Sequence, residues 1–403
     1  MEFCFRDHHS TFVVELLKAC AKKKDVSKGI QLHAGILRRE LLHKNPYVAS
    51  ALINMYARCG ELGQAQKVLE ELHTRDVVSW SSLISGYARQ EQGHEALKCF
   101  ERMRTEAISP NEVSFICILK ACGNIGAIDK GKQIHEEIID TGLLDKNIML
   151  GNALVDMYAK CGMLAKAQEV LEELPVRNVV SWNALIAGYT QQNKGHDALD
   201  CFSQMQREGL SPDEVTFTCI LKACGSVGDI EKAKEVHDEI VNKGLLERNV
   251  MVGNALVDMY AKSGVLALAH QVLENLPIRN VITWNALISG HVQHDQGQDA
   301  IQCFLGMQRE GFSPDKVTFS CMLKACGSIR DIRKGKQIHN LIVTGKFLEK
   351  NIVLGSALVD MYTKWGLLTY ARRVLGELPI RDVVSWSTLI AGYAHHNQGD
   401  EAL

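Results

Sequence analysis

The segment VVSWNALIAGY at residues 179–189 returns three more times along the chain, and the copies are evenly spaced. Their tryptophans stand at positions 80, 182, 284 and 386, so each step is 102 residues. Three other series keep this step: Cys122, Cys224 and Cys326; His33, His135, His237 and His339; Pro110, Pro212 and Pro314. This self-similarity indicates stacked structural repeats, in which an apparent motif is first of all a copied structural position.

Prolines divide each 102-residue period into helical segments. All seven prolines except Pro46 lie at two recurring seams, which are Pro110, Pro212 and Pro314, and Pro175, Pro277 and Pro379. After Trp182, apolar residues recur at three, four and seven positions, as in an amphipathic helix. A second apolar stripe ends at Gly209, before a proline that cannot continue a helix. Each segment is therefore predicted to be a helix–turn–helix hairpin, and no strand pattern is present.

Equivalent cuts give repeats of 35, 36 and 31 residues, for example 179–213, 214–249 and 250–280. Eleven complete repeats occupy residues 10–382, after a short segment 1–9 that is irregular or ends a preceding repeat. A partial repeat occupies 383–403, so we expect the natural protein to continue beyond it. Because a two-helix hairpin cannot bury both of its faces, neighbouring hairpins must stack. The predicted fold is all-α, a right-handed superhelical solenoid whose first helices line an inner groove.

Composition narrows the classes of function. The formal net charge of −2 provides no general attraction to phosphate, and no apolar run approaches the roughly 18 residues of a membrane span. The 13 cysteines fall at copied positions such as 99, 201 and 303, which predicts small core residues in a reducing compartment. The start, MEFCFRDHHS, resembles neither a signal nor a transit peptide, so the address was removed or the chain is a fragment.

The repeat sequences carry a family likeness. The segments VVSWNALIAGY…DALDCFSQMQREGLSPD, VTFTCILKACG…KEVHDEIVNKG and VGNALVDMYAKSG, in 35/36/31 alternation, resemble plant pentatricopeptide repeat (PPR) proteins. The likeness is to the PLS subclass, in which P, long (L) and short (S) repeats alternate, and it covers nearly the whole chain. It implies binding of single-stranded RNA, one nucleotide per repeat, in the mitochondrion or the chloroplast, with the mitochondrion preferred.

The resemblance implies that the side chains at the fifth and last positions of a repeat read one base. The implied residues, with their bases, are Ser50 and Asp76 (guanine), Ser81 and Asn111 (adenine), Asn152 and Asn178 (cytosine), Asn183 and Asp213 (uracil), Asn254 and Asn280 (cytosine), Asn285 and Asp315 (uracil), Ser356 and Asp382 (guanine), and Ser387 (a purine). Short amide, hydroxyl and carboxylate groups can all address a base edge. The alternative is that the last residue is only a helix N-cap, which leaves the fifth position unexplained.

The L repeats depart from this pattern. Their fifth residues are Val14, Ile116, Thr218 and Ser320, and each of them ends in Asn. No base is assigned to these repeats, because Val and Ile cannot make the discriminating hydrogen bond. Read from the N- to the C-terminus, the predicted string is ?-G-A-?-C-U-?-C-U-?-G-purine.

Two further sets complete the implied groove. The bulky second residue of a repeat would sandwich the base, with interrepeat core as the alternative; the candidates are Val78, Val180, Ile282 and Val384, and Tyr47, Met149, Met251 and Val353 in the S repeats. Basic residues eight positions beyond the fifth residue of the S repeats are candidates for phosphate contacts, with a solvated face as the alternative. These residues are Arg58, Lys160, Lys262 and Lys364.

No catalytic arrangement is recognisable. Proteins of the family that the chain resembles often carry a C-terminal zinc cytidine deaminase, and its histidine–any–glutamate element is matched by His135-Glu136-Glu137 and by His237-Asp238-Glu239. These histidines occupy one copied helix position, and no C-x-x-C pair exists to complete the zinc site. We therefore expect structural histidines, no enzyme activity, no metal and no cofactor.

The predicted function is recognition of RNA for C-to-U RNA editing. The chain would act as a monomer and would not associate with a membrane. The deamination itself would come from a deaminase domain or an editing cofactor in trans. An RNA-stabilising or processing factor in an organelle, and a protein-binding helical-repeat scaffold, are the alternatives.

Overall fold

Helices form all the regular secondary structure in the computed structural model, which describes residues 2–144, 147–396 and 398. This part of the chain contains 24 α-helices, a 3₁₀ turn at Phe347–Lys350, and no β-strand, so the predicted all-α class is confirmed. Among the residues described, no helix has the length and apolar character that crossing a membrane requires.

The helices, in chain order, are α1 (Glu2–Lys23), α2 (Val26–Arg38), α3 (Leu41–Lys44), α4 (Pro46–Cys59), α5 (Leu62–Glu71), α6 (Val77–Arg89), α7 (Gly93–Thr105), α8 (Glu112–Ile125), α9 (Ile128–Asp140), α10 (Ile148–Lys160), α11 (Leu164–Glu173), α12 (Val179–Gln191), α13 (Gly195–Arg207), α14 (Glu214–Val227), α15 (Ile230–Asn242), α16 (Val250–Lys262), α17 (Leu266–Asn275), α18 (Val281–Gln293), α19 (Gly297–Arg309), α20 (Lys316–Ile329), α21 (Ile332–Thr344), α22 (Ile352–Lys364), α23 (Leu368–Glu377) and α24 (Val383–His395).

The chain divides into two compact parts, one made of Met1–Gln192 and Asp200–Ser211, the other of Asn193–Leu199 and Pro212–Leu403. In the first part, the first helices of successive repeats form a row in which each packs against the next: α1, α4, α6, α8, α10 and α12. The second part contains the corresponding row α14, α16, α18, α20, α22 and α24. First helices also pack against the second helix of their own hairpin, as α4 does on α5 and α18 on α19.

Aromatic side chains fill the space between the helices of a hairpin and close it against the next one. Trp80 on α6 and Phe100 on α7 are both 1% exposed. The ring of Phe100 also meets that of Phe115 on α8, with centroids 6.2 Å apart, so the next repeat covers this hairpin. Complete burial of such a phenylalanine contributes about 1.5–3 kcal/mol, which is how stacking stabilises hairpins that are too small alone.

Glycines on the first helices of the 35-residue repeats let two neighbouring first helices approach closely. A Cβ atom added at Gly86 on α6 would lie 2.8 Å from the Cβ of Ala57 on α4 and 2.7 Å from a methyl group of Leu62. The copied glycines Gly188 and Gly290 face equivalent alanines on α10 and α16 at 2.7 and 2.5 Å. The spacing within each row of first helices therefore depends on the absence of a side chain at these positions.

We expect Gly86→Ala to lower the free energy of unfolding by about 1–3 kcal/mol, because the added methyl group overpacks the α4–α6 contact. The matched control is Gly35→Ala in the interior of α2, where an added Cβ has no atom within 4 Å. That change should stabilise the protein by about 0.5–1 kcal/mol, because alanine favours a helix over glycine. Thermal denaturation of both variants checks this, and equal shifts in midpoint would contradict the packing argument.

Candidate nucleic-acid interface

An asparagine or aspartate caps the first helix of each repeat from position 46 onward. The Oδ1 atom of Asp76 accepts from the backbone N–H of Ser79 at 2.8 Å, and that of Asn280 accepts from Thr283 at 2.9 Å. The other capping residues are Asn45, Asn111, Asn147, Asn178, Asp213, Asn249, Asp315, Asn351 and Asp382. The last residue of a repeat is therefore the N-cap of the next repeat, as the alternative interpretation of this position required.

Capping uses only one atom of the side chain. The side-chain hydrogen bonds of six of these caps all involve Oδ1; the six are Asp76, Asn111, Asn178, Asn280, Asp315 and Asp382. These side chains are partly exposed. Within the described residues, the second atom of each makes no hydrogen bond, and this atom is Nδ2, a donor, in asparagine and Oδ2, an acceptor, in aspartate.

The fifth residues lie beside these caps, but most of them are buried. Ser50, Ser81, Asn152, Asn183, Asn254 and Asn285 are only 4–7% exposed, whereas Ser356 is partly exposed and Ser387 is exposed. The sequence predicted side chains that reach openly into a groove, and here the structure differs. The physical reason is the close packing of consecutive first helices, which places the fifth side chain between its own helix and the next cap.

Hydrogen bonds join several fifth residues to the neighbouring cap. The Nδ2 atom of Asn285 donates to Oδ1 of Asp315 at 3.0 Å, and its Oδ1 atom accepts from the Thr318 hydroxyl at 2.6 Å. Burial disfavours the Asp315 carboxylate, but the hydrogen bonds from Thr318, Asn285 and Val317 outweigh it and lower its pKa. In the first part of the chain, the Ser81 hydroxyl donates to Oδ1 of Asn111 at 3.2 Å.

Two fifth residues keep unused hydrogen-bonding capacity. Asn152 is 5% exposed, and neither its Oδ1 nor its Nδ2 atom has a hydrogen-bond partner in the structure. Asn254 accepts from the Thr283 hydroxyl at 2.6 Å, but its Nδ2 atom has no partner. Because buried polar groups are normally hydrogen-bonded, unpaired amides at a copied position indicate a place where a polar ligand completes the site.

The second residues of the 35- and 31-residue repeats are bulky, apolar and exposed. Tyr47, Val78, Met149, Val180, Met251, Ile282, Val353 and Val384 are between 51 and 78% exposed. Each begins the same first helix whose fifth residue lies one turn further on. An interrepeat core would bury these side chains, so the structure excludes that alternative and leaves them available to a planar ligand.

The basic residues that are candidates for phosphate contacts are exposed, but most of them form ion pairs. Lys160, Lys262 and Lys364 form ion pairs with the aspartates four residues earlier in their own helices, at 2.8, 2.6 and 2.8 Å. Arg58 is exposed and has Asn54 at the corresponding position, so it lacks that acidic neighbour. The lysine charges are therefore partly balanced before any ligand arrives, and an exposed pair of this kind is worth only about 0–1 kcal/mol.

The copied histidines join the second helix of a 36-residue repeat to the first helix of the 31-residue repeat that follows it. Their Nδ1 atoms share hydrogen bonds with tyrosine hydroxyls, at 2.9 Å for His33–Tyr56, 2.9 Å for His135–Tyr158, 3.1 Å for His237–Tyr260 and 2.9 Å for His339–Tyr362. The Nε2 atoms of His33 and His135 are buried without a partner. Burial lowers the pKa of all four histidines and raises that of Tyr158 and Tyr260 to about 12.

The cysteines from Cys20 to Cys326 are free and at least half-buried. Burial raises the pKa of Cys99, Cys122, Cys224, Cys303 and Cys326 to about 12, so these side chains remain thiols at neutral pH. One of them, Cys303, lies beside His270 and His291, a cluster that the search for sequence motifs missed. The signal was available as a departure from the repeat, because the two preceding copies carry Gln and Tyr where this one has two histidines.

Stacked helical hairpins with copied polar positions define a helical-repeat protein. A family model described as PPR repeat family matches residues 75–124, 177–226 and 279–328, and a PPR repeat model matches 47–77, 152–179, 215–245 and 384–403. Together these matches cover more than half of the sequence. The chain belongs to the PPR repeat family.

Relatives from Arabidopsis thaliana match almost the whole chain. A chloroplastic pentatricopeptide repeat-containing protein is 35% identical over 388 residues, 96% of this chain and 62% of the relative. A mitochondrial one is 34% identical over 408 residues, 96% of this chain and 45% of the relative. The chain thus spans about half the length of the curated relatives it matches.

A solved structure shares the fold. The crystal structure of the pentatricopeptide repeat protein PPR10 in complex with an 18-nt psaJ RNA element superposes with a TM-score of 0.71 at 18% identity. The match covers 89% of this chain and 54% of PPR10. The predicted helical-repeat solenoid fold is therefore confirmed.

The lowered histidine pKa values predict that the protein loses stability in mild acid. The histidines of the unfolded chain take up protons as the pH falls through about 6.5, and the folded histidines take up fewer because their pKa is lowered, so unfolding is favoured below that pH. The thermal midpoint should therefore fall between about pH 7.5 and pH 5.5. His135→Gln should reduce this fall, whereas the same change at His94, which is exposed, should leave it as large as in the wild type. An identical pH profile for the two variants would contradict the assignment.

Proposed function

We propose that this chain binds single-stranded RNA in a sequence-specific way, one nucleotide per repeat, at the N-terminal ends of the first helices. The observation that carries the proposal is the site around Asn152. Its buried amide has two unpaired polar atoms, and the exposed side chains of Met149 and Val180 begin its own helix and the next one. A base inserted between two such apolar side chains would bring hydrogen-bonding groups to an amide that lacks them.

The second side-chain atom of the cap residue, Nδ2 in asparagine or Oδ2 in aspartate, discriminates between bases. Guanine and uracil carry a ring N–H donor on the Watson–Crick edge, whereas adenine and cytosine carry a ring nitrogen acceptor there. The Oδ2 acceptor of Asp315 suits the first pair, and the Nδ2 donor of Asn280 suits the second. This assignment agrees with the bases implied by the family pattern for all seven complete pairs.

The fifth residue determines how much space is left for the base and holds the side chain of the cap residue in place. A serine such as Ser81 is shorter than an asparagine such as Asn285, so it leaves room for a purine where asparagine leaves room for a pyrimidine. The hydrogen bonds of Ser81 to Asn111 and of Asn285 to Asp315 hold the reading side chain in one orientation. Direct contact with the base is thus assigned mainly to the cap, and the buried fifth residue acts beside it.

The names of the relatives and the alternation of repeat lengths support a proposal for the biological role. PPR10 is found in complex with an 18-nt psaJ RNA element, and the curated relatives include chloroplastic and mitochondrial proteins. We propose an organellar location and a PLS arrangement of the repeats. We also propose that the chain places a transcript for C-to-U editing, with the chemistry supplied elsewhere.

Exchange of a single cap atom tests the proposal. Asp315→Asn keeps a good N-cap, because Asn and Asp cap equally well, but it replaces the Oδ2 acceptor with a donor. We expect the ninth base of the string ?-G-A-?-C-U-?-C-U-?-G-purine to change from a preferred uracil to a preferred cytosine. The expected discrimination is about tenfold, in the range of one base contact. Binding of two labelled oligonucleotides that differ only at this base measures it.

The matched control is Asn351→Asp at the end of an L repeat, where no base is assigned. The Asn351 side chain accepts a hydrogen bond from the Leu354 N–H at 3.3 Å, and an aspartate at this position can accept the same bond. The base preference should therefore not change. A scrambled oligonucleotide provides the second control, since it should compete poorly. If Asp315→Asn leaves the preference unchanged, the last residue is only a cap.

Salt dependence tests the phosphate contacts. Each lysine that contacts a phosphate adds about 0.7 to the slope of the logarithm of affinity against that of salt concentration. Lys262→Gln with Lys364→Gln should therefore reduce the slope by about 1.4. The control pair is Lys98→Gln with Lys166→Gln, because these lysines form similar ion pairs on second helices. Equal slopes for the two double variants would contradict the assignment.

A further inference from the structure

One pair of copied positions holds two histidines in a single copy. In the first copy the Tyr87 hydroxyl donates to Oε1 of Gln66 at 2.7 Å, and in the second Tyr189 donates to Gln168 at 2.9 Å. In the third copy, 102 residues further on, both positions hold histidine, His270 and His291. The cysteine that follows in each copy is retained, as Cys99, Cys201 and Cys303.

The two histidines and Cys303 come from three successive helices and meet at one point. His270 lies on α17, His291 on α18 and Cys303 on α19. The Nε2 atoms of the histidines are 3.1 Å apart, and Sγ of Cys303 lies 3.5 Å from Nε2 of His270. The three ligand atoms all lie within 4.8 Å of one another. His291 and Cys303 are buried and His270 is half-buried, which leaves one side of the cluster accessible.

These distances match the edges of a zinc coordination tetrahedron. With Zn–N of about 2.0–2.1 Å and Zn–S of about 2.3 Å, tetrahedral angles place two nitrogens about 3.3 Å apart and a nitrogen and a sulfur about 3.6 Å apart. The observed 3.1 and 3.5 Å lie close to both values. The remaining edge, from His291 to Cys303, is at most 4.8 Å and needs a shift of only about 1 Å to close.

A neighbouring amide orients one of the ligands. Nδ1 of His291 lies 2.9 Å from Oε1 of Gln296, which can only accept, so Nδ1 carries the proton. The lone pair of this imidazole then lies on Nε2, the atom that faces His270 and Cys303. An outer partner that fixes the tautomer of a histidine is characteristic of metal sites.

Acidic side chains near the cluster favour a cation. Glu274, one turn beyond His270 on α17, and Asp299, one turn before Cys303 on α19, are both close enough to act electrostatically on His270. Asp299 acts on Cys303 as well. Two carboxylates beside a neutral set of ligands add to the attraction for a divalent ion.

We propose that His270, His291 and Cys303 bind one Zn²⁺ ion through Nε2, Nε2 and Sγ, with water in the fourth position. Imidazole and thiolate suit zinc, whereas Mg²⁺ and Ca²⁺ require oxygen ligands. Binding releases the thiol proton of Cys303 to solvent. The proton that Nε2 of His270 shares with Nε2 of His291 moves to Nδ1 of His270, so both imidazoles bind the ion as neutral ligands. The ion joins α17, α18 and α19, so it clamps the repeat 250–280 to the repeat 281–315.

Zinc titration of the purified, reduced chain without an affinity tag tests the proposal, with a chromophoric chelator as competitor. The wild type should bind one tight equivalent, and its thermal midpoint should rise with zinc. The matched variant is His270→Gln with His291→Tyr, which restores the hydrogen-bonded pair of the other two copies and should therefore fold. This variant should lose the tight equivalent. The proposal is wrong if the wild type binds no zinc or if both proteins bind the same amount.

Three further measurements locate the ion. Co²⁺ in the wild type should give a thiolate charge-transfer band that Cys303→Ser removes, and a spectrum without it would exclude Cys303 as a ligand. Gln296→Ala should weaken zinc binding about 10- to 100-fold, and an unchanged affinity would exclude its orienting role. Conversely, Gln66→His with Tyr87→His places the same triad beside Cys99 and should add a second equivalent. Failure to gain it in a folded variant would count against the triad as a sufficient site.

Discussion

The N-cap at each repeat junction is the interaction on which the rest of the structure depends. One side-chain oxygen of the last residue satisfies backbone N–H groups at the start of the next first helix, as Asp315 does for Thr318. That bond fixes where the helix starts and therefore which residue is second and which is fifth. The same residue keeps one atom for solvent. One short side chain thus caps the helix and also carries a polar atom that can distinguish one base from another.

The packing of consecutive first helices then determines which side chains a ligand can reach. Gly86 and its copies bring consecutive first helices close together, and the fifth side chain of the preceding helix, such as Asn254 on α16 opposite Gly290, is buried against the start of the next helix. The second residues, such as Val180, remain outside because they precede the region of closest approach. Hydrogen bonds such as His135–Tyr158 hold the second helices onto the same rows.

Repeats also provide an internal comparison for residues that serve a separate purpose. Three copies share the position of Cys303, and two of them carry a Gln–Tyr pair where the third carries His270 and His291. A copied position that changes while its surroundings stay the same indicates a local role that the other copies do not have. The proposed zinc site rests on this change and on the convergence of three helices, and is independent of RNA binding.

The sequence by itself determined the period, the helical class and the identity of the capping residues, because these depend on local spacing, prolines and short polar side chains. It also named the fifth residues, but it placed them in an open groove. Only the tertiary structure decided that Asn152 is buried with its amide unpaired, and that His270, His291 and Cys303 meet. Exposure, pairing and convergence arise between helices, and the distance between two helices is set by packing that no single segment encodes.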